Sequence, residues 1–192
     1  MKRLALLILL SGWLVPFASA QDHVQLGAYV DYFRVSQTKS NFAGLGGRLG
    51  YKALPFVMME GEINYDFEQA FTEGFTNPTT GTVTLQRSNL RILHGLFGPK
   101  IVVGHGSLRP FLTIKGGFVD FRLDPRPATF ATFTSSVQNL RGQNLIGAVY
   151  PGGGLEGHLG PVGLRLDVGD EIYFNGGTHH NVRVAFGPFI SF

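Results

Sequence analysis

The last twelve residues, NVRVAFGPFISF from Asn181 to Phe192, decide how this chain folds. Read as an extended strand, they place Val182, Val184, Phe186, Ile190 and Phe192 on one face and Asn181, Arg183, Gly187 and Ser191 on the other. Large apolar groups persist to the terminal carboxylate, where a soluble domain ordinarily frays into polar residues. The face that carries them needs a cover other than water.

The same period of two runs back through the chain. In DHVQLGAYVDYF, Val24, Leu26, Ala28, Val30 and Tyr32 alternate with Gln25, Gly27, Tyr29, Asp31 and Phe33. LGGRLGYK sets Leu45, Leu49 and Tyr51 against Arg48 and Lys52, and VMMEGEINYD sets Val57, Met59, Ile63 and Tyr65 against Glu60, Glu62, Asn64 and Asp66. NLRILHGLF and PFLTIKGGFVDF supply a fourth and fifth strand, with Arg91 and Lys115 assigned to their polar faces. NLIGAVYPGGGLEGH is the least regular, and VGLRLDVG alternates cleanly about Arg165 and Asp167. Eight strands without an amphipathic helix predict a sandwich or a barrel.

Met1 to Ala20 stand apart. A basic start at Lys2 and Arg3, the apolar stretch LALLILL and the small-residue site Ala18-Ser19-Ala20 predict a secretory signal peptide over residues 1–20, leaving 21–192 as the barrel. Gly12 and Pro16 interrupt the run, which is too short for a spanning helix. The exported chain has no cysteine, so disulfides cannot stabilise it. The sequence has 16 Lys and Arg and 13 Asp and Glu; without Lys2 and Arg3 the balance is 14 to 13, which argues against a nucleic-acid partner.

The links between strands alternate in length. Ala53 to Phe56, Val103 to Leu108 and Leu159 to Pro161 read as short turns, and Arg34 to Phe42, Phe67 to Thr82, Arg122 to Arg141 and Gly169 to His180 as long loops. An up-and-down barrel that crosses an outer membrane has short periplasmic turns and longer outer loops, with this phase. The polar faces carry six charges of each sign: Arg48, Lys52, Arg91, Lys115, Arg165 and Arg183 with Asp31, Glu60, Glu62, Asp66, Glu156 and Asp167. Enclosed together they would pair, because an unpartnered buried charge costs several kcal/mol. Eight strands enclose only enough space for side chains, so the expected interior is plugged by these groups.

LFGPK at Leu96 to Lys100 followed by RPFLTIKGGF at Arg109 to Phe118, and YPGGGLEGHLGPVGLRLD at Tyr150 to Asp167, resemble the central hairpin and the sixth and seventh strands of the small OmpA-like outer-membrane β-barrels. The resemblance covers Gln21 to Phe192 and includes no peptidoglycan-binding domain. It implies an eight-stranded antiparallel transmembrane barrel in the outer membrane of a Gram-negative type of cell, with that membrane's lipid and the barrel assembly machinery as partners. It further implies that Phe186, Ile190 and Phe192 act as the assembly signal of the last strand. Pro188 removes a ladder donor there, which predicts a bulge or a weakened pairing. Without Trp in residues 21–192, Tyr and Phe are left to form the interfacial girdles.

No catalytic, metal or cofactor motif stands out. His179 and His180, adjacent in a loop, lack a third ligand fixed by spacing. They are kept, with Phe130 and Phe133 of the loop from Arg122 to Arg141, as candidate loop contacts for an unidentified outer ligand. Outer-membrane lipid A deacylases are similar in barrel size and use a His and a Ser on a late strand; the comparable strand here, HHNVRVAF, has no Ser two residues beyond a His. Gly152 to Gly154 precede no helix with a Lys, so close backbone packing explains them better than a phosphate cradle. His94 falls on the apolar side of the fourth strand, either near a membrane edge or because the register there is off by one. The expectation is a non-enzymatic integral outer-membrane barrel serving envelope structure or surface interaction. Its rival is a periplasmic ligand-binding barrel of lipocalin type, with apolar groups inside and charges outside.

Overall fold

The computed structural model describes residues 23–76, 80–104, 106–124, 132–133 and 145–192. Its strands are β1 (Val24–Val35), β2 (Ser40–Leu54), β3 (Val57–Thr76), β4 (Val83–Val102), β5 (Leu108–Asp124), the two-residue β6 (Thr132–Phe133), β7 (Leu145–Leu159), β8 (Val162–Phe174) and β9 (Thr178–Ser191). Leaving β6 aside, each strand pairs antiparallel with its neighbours in the chain, and β9 pairs with β1. The result is a closed up-and-down barrel of eight strands, with β6 added to the end of β3 through Phe75 and Phe133. Closure leaves no open edge, which a sheet surrounded by hydrocarbon requires.

The two faces are inverted relative to a soluble protein. On β5, Leu112 and Ile114 are 66% and 56% exposed, and Thr113 between them is 6% exposed. Leu26, Val30, Leu45, Leu49, Ile63, Leu164, Leu166, Phe186 and Ile190 also point out, whereas Arg48, Glu60, Lys115, Arg165 and Arg183 are buried inside. A barrel whose apolar stripe lined an internal ligand cavity would need the opposite orientation. Tyr51 and Phe56 lie outside near the end that holds both termini, and Tyr32, Tyr65, Phe67 and Phe174 near the other, as interfacial girdles do.

Three expectations need correction. First, the register of the fourth strand shifts by one: Leu90, Ile92, His94 and Leu96 are buried inside, so Arg91 lies on the outer face and His94 on the inner. Both faces of this strand are apolar, because Leu90 and Ile92 join an internal cluster with Phe33, Val35, Phe42, Val119, Phe121, Ile146 and Tyr173. Hydrophobic alternation therefore could not tell inside from outside.

Second, most of the presumed long loops are strand. β3 and β4 run on as a hairpin to Thr76 and Val83, and residues 175–177 alone separate β8 from β9. The ladder is made of backbone bonds and continues where the apolar period of the side chains fades. Third, the histidines His179 and His180 belong to β9 instead of a loop.

Pro188 causes no bulge. Its pairing with Leu164 on β8 keeps an unbroken register, while the β1–β9 ladder is interrupted between Gly27↔Phe189 and Val30↔Phe186 without a shift. Beside it the backbones come so close that a Cβ on Gly187 would lie 2.0 Å from the Ala28 carbonyl oxygen. The run from Gly152 to Gly154 is also a packing device: Cβ atoms on Gly152 and Gly154 would lie 2.8 Å from the Tyr150 and Phe111 rings respectively. Phe192 follows β9 and exchanges backbone hydrogen bonds of 2.9 Å with Val24, which fastens the end of the chain to its first strand.

The orientation of the outer face gives a direct prediction. Leu166→Arg puts a charge among Leu164, Val168 and Phe186, and should destabilise the membrane-inserted barrel by about 2–4 kcal/mol. Urea titration of the protein refolded in lipid vesicles would measure this; an unchanged midpoint would contradict a lipid-facing Leu166.

Candidate functional site

The inward-facing positions of the strands hold a continuous set of charged side chains. Nearest the termini, the Lys100 ammonium on β4 donates to Glu156 Oε1 at 2.5 Å and Gln25 Oε1 at 2.6 Å. Above it, Glu60 on β3 is contacted by Arg165 at 2.5 Å, Lys115 at 2.6 Å and Lys100 at 3.5 Å. Arg165 also reaches Asp167 at 2.5 Å, whose other oxygen accepts from the Tyr150 hydroxyl at 2.8 Å. Its guanidinium lies 4.1 Å from the centroid of the Phe111 ring, a cation–π contact inside the barrel.

Further up, Lys115 bridges to Glu62 at 2.6 Å, and Arg183 joins Glu62 at 2.6 Å to Asp31 at 2.9 Å and Glu171 at 3.4 Å. Arg183 donates in addition to the Tyr29 hydroxyl at 2.9 Å. Arg48 is the more loosely held cation, 3.5 Å from Asp167 and stacked 4.2 Å from the centroid of Tyr29. The upper boundary is His94, between Glu171 at 2.5 Å and Asp66 at 3.0 Å, with Phe33 edge-on against its ring. Beyond it lies the apolar cluster.

Of the twelve charges predicted for this interior, Asp31, Arg48, Glu60, Glu62, Asp66, Lys115, Glu156, Arg165, Asp167 and Arg183 are buried in it. Arg91 is not, for the register reason already given. Lys52 points to the inner side but stands half-buried at the mouth, where with Phe56, Met58 and His158 it lines a cavity of about 360 Å³. Glu156, held by Lys100, and Gln25 line the same cavity. Lys100, His94 and Glu171 join the pairs instead. A signal for the first two existed, since His94 shares strand parity with Lys100 in HGLFGPK and Arg91 does not.

The candidate loop contacts separate as well. His180 is exposed, with Nδ1 2.5 Å from Asp170 Oδ2. His179 faces the inner side, where Nε2 lies 3.0 Å from Gln37 Nε2 and the ring packs on Tyr173. Phe130 lies outside the described residues, and Phe133 is placed only as a backbone partner of Phe75. Phe186 and Ile190 are exposed on the apolar belt, and Phe192 is half-buried at its edge. Among the described residues no group of His, Asp and Glu is arranged to hold a metal ion.

A buried ion pair that loses one member leaves an uncompensated charge, which typically costs about 3–5 kcal/mol. Arg183→Ala, which leaves Asp31 without its cation and takes one from Glu62 and Glu171, should therefore lower unfolding stability by about that amount. Lys52→Ala should change it little. Chemical denaturation in micelles compares the two, and equal effects would contradict this division between network and mouth.

No protein-family model and no curated protein sequence matches this chain. Among solved structures it is similar to Ail, the attachment invasion locus protein of Yersinia pestis, crystallised with the heparin analogue sucrose octasulfate: identity 13%, TM-score 0.52, covering 88% of this chain and 97% of that one. It is also similar to Neisserial surface protein A, at 12% identity and TM-score 0.53, covering 88% and 96%. The N-terminal β-barrel domain of Pseudomonas aeruginosa OprF gives 12% identity and TM-score 0.50, covering 88% and 98%. At these identities the likeness is one of fold, the eight-stranded OmpA-like outer-membrane barrel.

Proposed function

We propose that this chain, which shares its fold with small outer-membrane barrels, is itself a non-enzymatic integral outer-membrane protein, exported by a cleaved signal peptide. The observation that carries the reading is the pairing of a continuous apolar outer face with a buried, charge-paired interior. Only a hydrocarbon surround makes that inversion favourable, because exposing the belt to water would forfeit roughly 25 cal/mol for each Å² left uncovered. Phe186, Ile190 and Phe192 act as the last-strand signal for the barrel assembly machinery.

The interior is a plug, not a conduit. The salt-bridged layers from Lys100 to Arg183 and the apolar cluster above them fill successive levels of a barrel too narrow for both side chains and a water column. The protein's work then falls to its surfaces: envelope structure through the belt, and surface interaction through the end away from the termini, with Phe130, Phe133 and exposed His180 as contact candidates. Among the described residues, the His–carboxylate group enclosed on every side is that of His94, which supports this non-enzymatic role. His94 is 1% exposed and its carboxylate neighbours are as enclosed, so a substrate has no approach to them.

Planar-bilayer recording from the purified full chain tests the plug. Wild-type protein should show no ohmic conductance above the lipid background, and a stable single-channel step would overturn the reading. Phe192→Ser should reduce the folded outer-membrane fraction in cells while leaving refolding into detergent intact. Equal loss in both assays would mean that the residue serves stability instead of assembly.

A further inference from the structure

We propose that Arg91 and Arg122 form a binding site for a phosphate on the headgroup of a lipid in the leaflet at the far end of the barrel from the termini. The inference rests on the transmembrane reading above. Arg91 on β4 and Arg122 on β5 are direct cross-strand partners. Their neighbours Leu90, Ile92 and Phe121 are buried inside, so both guanidinium side chains leave from the outer face. Like charges directly opposite one another on a sheet destabilise it unless something neutralises them.

Among the described residues one carboxylate bonds to the pair. Asp120 accepts from Arg122 Nε at 2.8 Å, and the Arg122 side chain remains 59% exposed. Arg91 has no hydrogen-bond or ion-pair partner among the described residues, and its Nε is shielded from solvent without an acceptor. With Tyr65, Leu93 and Asp120 the two arginines line a hollow of about 150 Å³. The group thus carries an excess of positive charge and several unmade donor bonds, the complement of a phosphate, which guanidinium forks bind with paired, charge-assisted hydrogen bonds.

Depth decides the source of the phosphate. Along β4 the outward groups run Ile101, Phe97, Leu93 and then Arg91. The rise from Ile101 to Arg91 is about 33 Å along the strand and about 25 Å along the barrel axis at the usual tilt, the height of the apolar band of such barrels. Arg91 and Arg122 therefore sit one step beyond the band, on the wall that faces lipid, at the level where headgroup phosphates lie. A dissolved anion would have no reason to prefer a hollow walled by Leu93 and Tyr65.

The test uses the full chain in zwitterionic micelles, titrated with lipid A and with lipid A stripped of its phosphates, with retention read by native mass spectrometry. Wild-type protein should retain the phosphorylated lipid about tenfold or more tightly than the stripped one, and Arg91→Gln or Arg122→Gln should each remove about tenfold. Arg34→Gln, which deletes an outward charge on β1 across the barrel, should leave retention unchanged. Equal retention of the two lipids, wild-type retention by Arg91→Gln, or displacement by inorganic phosphate at matching concentration would each overturn the site. A heat-dependent gel shift in the same micelles separates the premises. Its absence overturns the transmembrane barrel and the lipid site together, and its presence with unselective retention overturns the lipid site alone.

Discussion

Glu60 is held by Arg165, Lys115 and Lys100, cations contributed by β8, β5 and β4. This carboxylate links β3 to its neighbour β4 and also to β5 and β8, which do not pair with β3, and it does so without solvent, being fully buried. The constraint it expresses governs the whole molecule. Once the outer surface is given to hydrocarbon, the charges have nowhere to go but inward, and inside they have only one another. Arg183 plays the reciprocal part, one cation reached by Asp31, Glu62 and Glu171 from three other places in the chain. Such pairs are worth little against a well-packed apolar alternative, yet breaking any of them is costly, which favours a single register for every strand.

The interior is divided, and the division explains the faces of individual strands. Below His94 it is ionic; above, Phe33, Leu90, Ile92, Val119, Phe121 and Tyr173 make an ordinary apolar core. Strands that pass through the ionic part carry an unmistakable polar stripe. β4 spends its upper half against the apolar part, so its inner and outer residues look alike. The tyrosines reconcile the two regions: Tyr29 and Tyr150 lend ring faces to arginine and lysine and hydroxyls to the ionic bonds.

How much of this was legible follows from the same division. β1, β3, β8 and β9 could be read from the sequence with their faces, because a charged side opposes an apolar one: Glu60, Glu62, Asn64 and Asp66 lie inside as their spacing implied. Charge misleads at Arg91, because it marks the inner face only along the apolar belt, and Arg91 points outward where its neighbours Leu90 and Ile92 are buried. Glu171 and the two histidines were hidden in what looked like a loop, since Asp170 and Glu171 are both charged and the alternation stops at the water line. Lys52 was read on the correct face but at the wrong depth: period gives a side, not a height.

An inserted barrel presents consecutive residues of one strand to lipid and to a dry charged interior in turn, and the cysteine-free sequence allows that to be measured without background labelling. Single cysteines at Leu112, Thr113 and Ile114 would be labelled with an environment-sensitive fluorophore in the vesicle-inserted protein. The labels would then be challenged with a nitroxide quencher carried on a lipid chain and with a water-soluble quencher. Strong lipid quenching is expected at 112 and 114, with little quenching of either kind at 113. Aqueous quenching at 112 and 114 would contradict that alternation.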